Sequence, residues 1–344
     1  MVVIQMNNQI SVGIVGLGSY LPSKIIKDDF SQQSDTGVDK IDEQLSEIFQ
    51  GGIERRFAVE GETSVEFGVK ASTEAIKDAN LSPADIDIIL VSSAVHDKIW
   101  PGDATAIQHK LNAENASAVN IDTACTSFIT SMIYGTALIK AGFYKTVLII
   151  SIANWATRII DISTKSGQII GDGAGAIILS DVNKDCSYIG SWEKSYGQYY
   201  NSMTIELSNP ASFKRRRNYW EPSYEKLYFE FNEDDIGDLK TRVPEMVPNA
   251  VQKSIEKTTF KIADINWFFP HQPGIFLIEK WRQNLSLPVD RCLHTFLRYG
   301  NLGAASIPVS LTEAYKQEKL KKGDIIAMAA PGVGQVVSSI IWRW

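Results

Sequence analysis

The feature that most constrains the fold of this 344-residue chain is an internal repeat. Residues 263–271, A-D-I-N-W-F-F-P-H, match residues 84–92, A-D-I-D-I-I-L-V-S, and residues 322–329 match residues 144–151. Each matched segment leads into a β-branched or aromatic run, which is typical of a buried strand. The repeat therefore predicts two pseudo-equivalent α/β halves, each with its own sheet, whose matching elements face one another.

We place the two halves at residues 1–181 and 182–344. The second half includes a polar, aromatic-rich insertion, residues 193–242, without clear periodicity. An insertion of this length is usually functional or mobile. It carries the basic run K-R-R-R at residues 214–217, which we interpret as a solvated surface patch, with docking of an acidic partner as the alternative.

Residues 120–142 contain the strongest candidate for a nucleophile. The chain turns through the small residues Thr123 and Ala124, and Cys125 stands where a long, largely apolar helical pattern begins. A helix that is apolar almost all round is a buried one. A helix N-terminus favours the thiolate, which is the nucleophilic form of cysteine. The alternative is an inert core cysteine, because free cysteine is among the most buried residue types.

The repeat adds two residues to this region. In the second half, Y-G-N-L-G-A-A-S at residues 299–306 takes the place of the Cys125 turn, and the strand that contains Trp267 ends at His271. Facing halves would then bring Cys125, His271 and Asn301 to one site. A structural histidine and a turn-forming asparagine are the alternatives, but the three residues together favour catalysis.

Composition excludes several classes of function. The net charge of -6 and the pI near 5.4 argue against a nucleic-acid-binding surface, which needs a concentrated basic face. The three cysteines, Cys125, Cys186 and Cys292, are spaced too irregularly for a disulfide framework or a metal site, and they indicate a reducing compartment. The first residues lack the features of a signal peptide, and no apolar run reaches membrane-spanning length. We expect a cytosolic protein without membrane or nucleic-acid partners.

With these residues in view, the sequence resembles the thiolase superfamily, and within it the ketoacyl-acyl-carrier-protein synthase III branch. The resemblance covers nearly the whole chain. It is carried by the motifs G-I-E-R-R (52–56), D-T-A-C-T-S-F (122–128), G-D-G-A-G-A-I-I-L (171–179), P-H-Q-P-G (270–274) and Y-G-N-L-G-A-A-S-I-P (299–308).

The resemblance implies a thiolase-like fold with five layers in the order αβαβα. It implies that Cys125 accepts an acyl group from a thioester, and that His271 and Asn301 hold the oxygen of a second, malonyl-type thioester during decarboxylation. The backbone amides of Cys125 and Val333 would form the oxyanion hole. Val333 belongs to a G-V-G sequence where the family usually has three glycines. No metal or redox cofactor is implied, only substrates carried on coenzyme A or phosphopantetheine.

Departures from the family pattern indicate a specialised relative. The usual D-E-W-I stretch appears as L-S-E-I at residues 45–48, without the tryptophan that stacks on adenine, and Phe276 stands where an arginine commonly follows the histidine motif. Arg56 and Arg158 remain as candidate contacts, with Phe276, to substrate or carrier. The pattern is similar to the condensing subunit of alkylquinolone synthesis and to ketosynthases of pyrone, resorcinol or polyketide pathways.

The leading hypothesis is therefore a Claisen-condensing acyltransferase of specialised fatty-acid or polyketide metabolism that uses acyl-coenzyme A or acyl carrier protein. One alternative is a non-condensing acyltransferase to an alcohol or amine, against which Asn301 argues because simple transfer does not need it. Another is a catalytically silent subunit, against which the intact Cys125, His271 and Asn301 argue. The family implies a dimer, either of identical chains or with a homologue.

Overall fold

The computed structural model describes residues 10–27, 54–156, 158, 169–182, 186–207, 227–231 and 233–344, with backbone alone for 205–207, 227–231 and 233–240. The basic run at 214–217 and the L-S-E-I stretch at 45–48 lie outside the described residues.

The first half forms a mixed five-stranded sheet. The strands of the first half are β1 (Ser11–Tyr20), β2 (Lys24–Lys27), β3 (Glu54–Phe57), β4 (Ile88–Ser93), β5 (Ser117–Asn120), β6 (Val147–Ala153) and β7 (Gly173–Val182). The sheet order is β1-β7-β6-β4-β5, with β4 parallel to β5 and β6 and with β7 antiparallel to both of its neighbours. Strands β2 and β3 pair separately in an antiparallel ribbon. Strand β6 is buried throughout and β4 is buried up to Ser92, and these two strands are the apolar runs of the repeat.

The second half of the chain forms a similar sheet of four strands, together with a separate two-stranded pair. It contains β8 (Tyr188–Ser195), β9 (Met203–Leu207), β10 (Leu227–Phe231), β11 (Ile265–Pro270), β12 (Ile325–Gly332) and β13 (Val336–Arg343). The sheet order is β11-β12-β13-β8, with β11 parallel to β12, so β11 corresponds to β4 and β12 to β6. A single bridge between Phe268 and Cys292 stands where the first sheet has β5. Within the 193–242 insertion, β9 and β10 form their own antiparallel pair.

The α-helices in the described ranges are α1 (Ser64–Asp78), α2 (Ala104–Leu111), α3 (Ser127–Lys140), α4 (Glu233–Ile255), α5 (Ile275–Asn284), α6 (Phe296–Tyr299) and α7 (Ser306–Lys316). Helix α3 touches β6 and β7 of the first sheet and β12 and β13 of the second, and α7 likewise touches β1, β7 and β11. Helices α1 and α2 cover the outer face of the first sheet, and α4 covers the second and packs on α5. The chain therefore has the predicted five layers, with α3 and α7 in the middle.

The middle layer explains the apolar surface of α3. Phe128, Ile129 and Met132 of α3 are fully buried in one cluster with residues of both sheets, such as Leu90 of β4 and Met328 of β12. The first two turns of α3, Ser127–Met132, are buried throughout, and Tyr134 further along the helix is 48% exposed, so the sequence of α3 lacks a continuous polar stripe. Within the described parts of the chain, no helix has the length and apolar content needed to cross a membrane.

Candidate active site

Cys125 lies in a short 3-10 turn, Ala124–Thr126, immediately before α3. Ala124 has a left-handed backbone with φ of 54° and its N–H donates to Asp122 Oδ1 at 2.8 Å. The Thr123 N–H donates to Ser127 Oγ at 2.8 Å, and that hydroxyl donates to the Ala124 carbonyl at 2.7 Å. Asp122, Thr123 and Ser127 thus brace the turn from both sides. The helix that the sequence predicts from Cys125 begins two residues later.

The Cys125 thiol is protonated in the free protein at neutral pH. Burial, and secondly the negative charge of Asp122, raise the thiol pKa to about 12, against the lowering effect of its own backbone N–H. The expectation of a thiolate stabilised by the helix N-terminus is therefore corrected. Desolvation and a nearby carboxylate outweigh the helix end, so the thiol proton has to leave during acyl transfer.

The second part of the site is the segment that carries Asn301. The Asn301 N–H donates to the Ile169 carbonyl at 2.7 Å, and the Asn301 carbonyl accepts from the Gly171 N–H at 3.1 Å. The side-chain Oδ1 accepts from the Gly303 N–H at 2.9 Å. Because Oδ1 is bound within the protein, the Nδ2 group is the part of this buried side chain that can donate to a substrate oxygen.

His271 follows the last residue of β11 and its N–H donates to the Ala329 carbonyl at 2.9 Å. Burial lowers the pKa of the imidazole to about 3, with a backbone hydrogen bond to Gly303 acting in the opposite direction. The ring is therefore neutral, and its Nδ1 has no hydrogen-bond partner among the residues that the structure describes. Gln272 holds the loop, since its buried carboxamide donates to the Leu293 carbonyl and accepts from the Thr295 N–H.

The structure brings the three predicted residues together through Gly303. His271 and Asn301 both bond to Gly303, and the turn Gly303–Ala305 contacts the turn Ala124–Thr126 that carries Cys125. A buried, neutral imidazole and a carboxamide that presents N–H groups form a polar patch beside a cysteine. This is the arrangement that the repeat predicts.

Val333 follows Gly332, the last residue of β12, at the same place. A Cβ atom added to Gly332 would lie 2.7 Å from the Thr123 carbonyl and 3.1 Å from Thr126 Oγ1. Only a glycine allows β12 to approach the cysteine turn this closely. The Gly332 contact places the backbone of Val333 beside the Cys125 turn, as the predicted oxyanion hole requires.

The three predicted substrate contacts differ in their surroundings. Arg158 is engaged within the protein, because its Nη2 donates to Asp97 Oδ1 at 2.6 Å. Arg56 has a guanidinium 6.0 Å from the ring centroid of Tyr299, in the segment that leads to Asn301, and its buried Nε has no partner in the described part of the chain. Phe276 is 42% exposed in the first turn of α5.

Sequence reasoning missed the buried Asp172 and its contacts with Trp155. The motif G-D-G-A-G at 171–175 contains this aspartate, and a charged residue between glycines in an otherwise apolar stretch was the available signal. Burial raises the pKa of Asp172 to about 6, while three backbone N–H groups and the charge of Arg158 act to lower it. Within the described residues, no group of three side chains is arranged to hold a metal ion.

Two facing α/β halves with a cysteine turn at their junction define the thiolase fold, and comparisons with known proteins place the chain within it. The 3-oxoacyl-[acyl-carrier-protein (ACP)] synthase III model matches residues 119–197, and the C-terminal model of the same family matches residues 255–344. The beta-ketoacyl-[acyl-carrier-protein] synthase III of Fusobacterium nucleatum is 30% identical over 336 residues, which cover 97% of this chain and 99% of the relative.

Solved structures of other proteins have the same fold as this chain. The crystal structure of 3-oxoacyl-[acyl-carrier-protein] synthase III from Aquifex aeolicus has a TM-score of 0.81 at 28% identity, covering 97% of this chain and 100% of that chain. The priming beta-ketosynthase of the R1128 polyketide pathway has a TM-score of 0.82 and covers 98% of both chains, at 23% identity, so it supports the fold alone. The chain belongs to the 3-oxoacyl-[acyl-carrier-protein] synthase III family, and the predicted resemblance is confirmed. It is an enzyme of the acyltransferase type.

Proposed function

We propose that this enzyme forms an acyl thioester on Cys125 and condenses it with a malonyl-type thioester, releasing carbon dioxide. The observation that carries this proposal is the sharing of Gly303 by His271 and Asn301 beside the Cys125 turn. Simple acyl transfer to an alcohol or amine needs no pair of donors for an enolate oxygen, so the pair favours condensation. A catalytically silent subunit would have no chemical need for any of the three residues.

In the first half-reaction, the Cys125 sulfur attacks the carbonyl carbon of an acyl thioester. The backbone amides of Cys125 and Val333 hold the oxyanion, the carbon–sulfur bond of the donor breaks, and the thiol proton of Cys125 leaves with the departing thiol. The pKa of about 12 means that free Cys125 is a weak nucleophile at neutral pH. Acylation therefore requires that the proton be transferred as the substrate binds.

In the second half-reaction, a malonyl-type thioester loses carbon dioxide and becomes an enolate. The Nδ2 group of Asn301 donates a hydrogen bond to the thioester oxygen, where the negative charge develops, and the single N–H of the neutral His271 ring turns from the Gly303 carbonyl to the same oxygen. The enolate carbon attacks the acyl carbonyl on Cys125, the carbon–sulfur bond to the cysteine breaks, and the released sulfur takes up a proton from solvent. A neutral imidazole suits this role, because burial keeps it ready to donate without carrying a buried charge.

We further propose a role in specialised fatty-acid or polyketide metabolism, with acyl-coenzyme A or an acyl carrier protein as the donor. Phe276, exposed in the first turn of α5 in place of the arginine that is common in the family, supports a partner surface that differs from that of a primary initiation enzyme. Arg56, with its unpartnered Nε beside Tyr299, is the proposed cationic contact for substrate or carrier phosphate. Arg158 would join it only if the Asp97 pair opens.

The protein is proposed to act as a homodimer, with a heterodimer as the alternative. Strand β5 is the outer strand of the first sheet, and Val119 on it is 44% exposed. The N–H groups of Ser117 and Ile121 donate to the carbonyls of Asp87 and Val91 within the sheet. Because N–H groups alternate in direction along a strand, the N–H of Ala118 points away from the sheet, where a second copy can pair.

Light scattering tests the dimer. It should give a dimer for wild type and Ala118→Gly and a monomer for Ala118→Pro, which lacks this N–H. A monomeric wild type would exclude the homodimer.

Intact-protein mass spectrometry tests the reaction. Wild type and Cys125→Ala are incubated with acyl-coenzyme A and acyl-carrier-protein thioesters of graded length, and release of carbon dioxide from malonyl thioesters is followed in parallel. We expect an acyl mass increment on wild type alone, and loss of decarboxylation in His271→Ala and Asn301→Ala with acylation retained. No increment with any donor, under conditions that load a known synthase, would contradict the proposal.

A further inference from the structure

Asp172 is a buried carboxylate that the condensation chemistry does not use. Its side chain is fully buried and accepts three backbone hydrogen bonds, from Ala58 at 2.8 Å and from Trp155 and Ala156 at 2.9 Å each. Because the side chain is fully buried, the carboxylate cannot also reach a substrate. It ties the segment after β3 to the segment after β6.

The first route from Asp172 to the site runs through the indole N–H of Trp155. This N–H donates to the Gly171 carbonyl at 2.8 Å. The N–H of Gly171 donates in turn to the Asn301 carbonyl at 3.1 Å. The position of the indole therefore bears on the backbone that carries Asn301.

The second route runs through the ring itself. A Cβ atom built on Gly303 would lie 3.3 Å from Cη2 and 3.5 Å from Cζ2 of Trp155, so the ring packs directly against this glycine. Gly303 is also the residue to which both Asn301 and His271 are bonded. Movement of the ring would move the common anchor of both groups.

We propose that Asp172 is a positioning residue that fixes Trp155 against Gly171 and Gly303 and thereby sets the geometry of Asn301 and His271. This inference rests on the proposed condensation. The network leads from Asp172 to Asn301 and His271, which act in decarboxylation. It does not lead to the hydrogen bonds of Asp122, Thr123 and Ser127 that brace the Cys125 turn, where acylation takes place.

A carboxylate suits this position better than a neutral acceptor. Burial raises the pKa of Asp172, and the three N–H bonds together with Arg158 keep it low enough for the charged form at neutral pH. A charged acceptor forms stronger hydrogen bonds than a neutral one. The buried charge therefore gives a rigid support beside a site whose donors have to be placed accurately.

The test separates the two half-reactions in three variants. Asp172→Ala removes all three acceptor contacts, and Asp172→Asn keeps an oxygen for the Trp155 and Ala156 N–H groups. Trp155→Phe keeps an aromatic side chain but loses both the bond to Gly171 and the outer ring atoms that lie against Gly303. Acylation of Cys125 is followed by intact mass, and decarboxylation of a malonyl thioester by release of carbon dioxide. The matched control is Asp87→Asn, because Asp87 also accepts two backbone N–H bonds but does so at the opposite end of β4.

We expect Asp172→Ala and Trp155→Phe to decarboxylate roughly 10- to 100-fold more slowly, while acylation stays within about threefold of wild type. Asp172→Asn should recover part of the loss, and Asp87→Asn should match wild type in both reactions. Should Asp172→Ala fail to fold, Asp172→Asn and Trp155→Phe still test the inference. Equal losses in both half-reactions, or unchanged decarboxylation, would overturn it. If wild type neither loads nor decarboxylates, the proposed function itself fails and the inference with it.

Discussion

The backbone N–H of Gly303 donates a hydrogen bond to Asn301 Oδ1 at 2.9 Å, so the asparagine turns its Nδ2 group toward the site. The same glycine is bonded to His271 and packs on Trp155. One backbone position therefore orients two side chains that are thirty residues apart in the sequence. The orientation matters because an enolate oxygen needs donors, and a flipped carboxamide would present an acceptor.

Replacement of Asn301 by aspartate tests this orientation. The Asn301→Asp variant keeps the shape and the acceptor for Gly303, but it presents a carboxylate oxygen where the protein needs a donor. We expect decarboxylation to fall about 100- to 1000-fold, with a melting temperature close to wild type. The measurement is release of carbon dioxide from a malonyl thioester. Retained decarboxylation at neutral pH would show that Nδ2 does not act on the substrate.

The raised pKa of Cys125 predicts an unusual pH profile for alkylation of the free enzyme. With a pKa of about 12, the thiolate fraction rises about tenfold per pH unit from pH 7 to pH 10. Alkylation of Cys125 by iodoacetamide, followed by peptide mass spectrometry, should rise accordingly without a plateau. Cys125→Ala supplies the background from the other two cysteines. A plateau below pH 8 would instead indicate a thiolate stabilised by the start of α3.

Burial of His271 in the neutral form predicts that acid destabilises the fold. The folded-state pKa is lowered to about 3, and the unfolded chain titrates near 6.5, so between these values the unfolded state binds more protons. The stability contributed by the neutral imidazole is complete above pH 6.5 and is lost as pH falls through this window.

Urea unfolding at fixed protein concentration measures this effect. Between pH 7.5 and pH 5, wild type should lose on the order of 2 kcal/mol more than His271→Asn, which has no group that titrates at this position. Equal losses in the two proteins would mean that the His271 pKa is not lowered.

The close approach of the two halves predicts a large cost for a methyl group at Gly171. A Cβ atom there would lie 2.0 Å from the Tyr299 carbonyl oxygen, which belongs to the backbone and cannot rotate away. Gly171→Ala should lower the free energy of unfolding by about 3 kcal/mol. The matched control is Gly197→Ala, because a Cβ atom at Gly197 meets no described atom within 4 Å. Similar stabilities for the two variants would contradict the observed contact between the halves.

The sequence by itself determined the two-half architecture and the identity of the three candidate catalytic residues. Strand periodicity, the turn of small residues before Cys125 and the glycines around Asn301 are local features, and each is readable within a few residues; the repeat is read by comparing one half of the chain with the other. The repeat then placed His271 near them, because duplicated halves bring equivalent elements face to face. The structure has β4 and β11, and the turns before α3 and α7, at these equivalent positions.

Only the tertiary structure decided the state and the support of those residues. Asp172 meets Ala58 across 114 residues of sequence, and Arg158 meets Asp97 across 61, so neither contact leaves a local pattern. The pKa values of Cys125 and His271 depend on how completely neighbouring layers exclude water, which no single segment specifies. The start of α3 favours a thiolate, but the loss of solvation around the partly buried Cys125 and the charge of Asp122 favour the thiol, and these two effects outweigh the helix end.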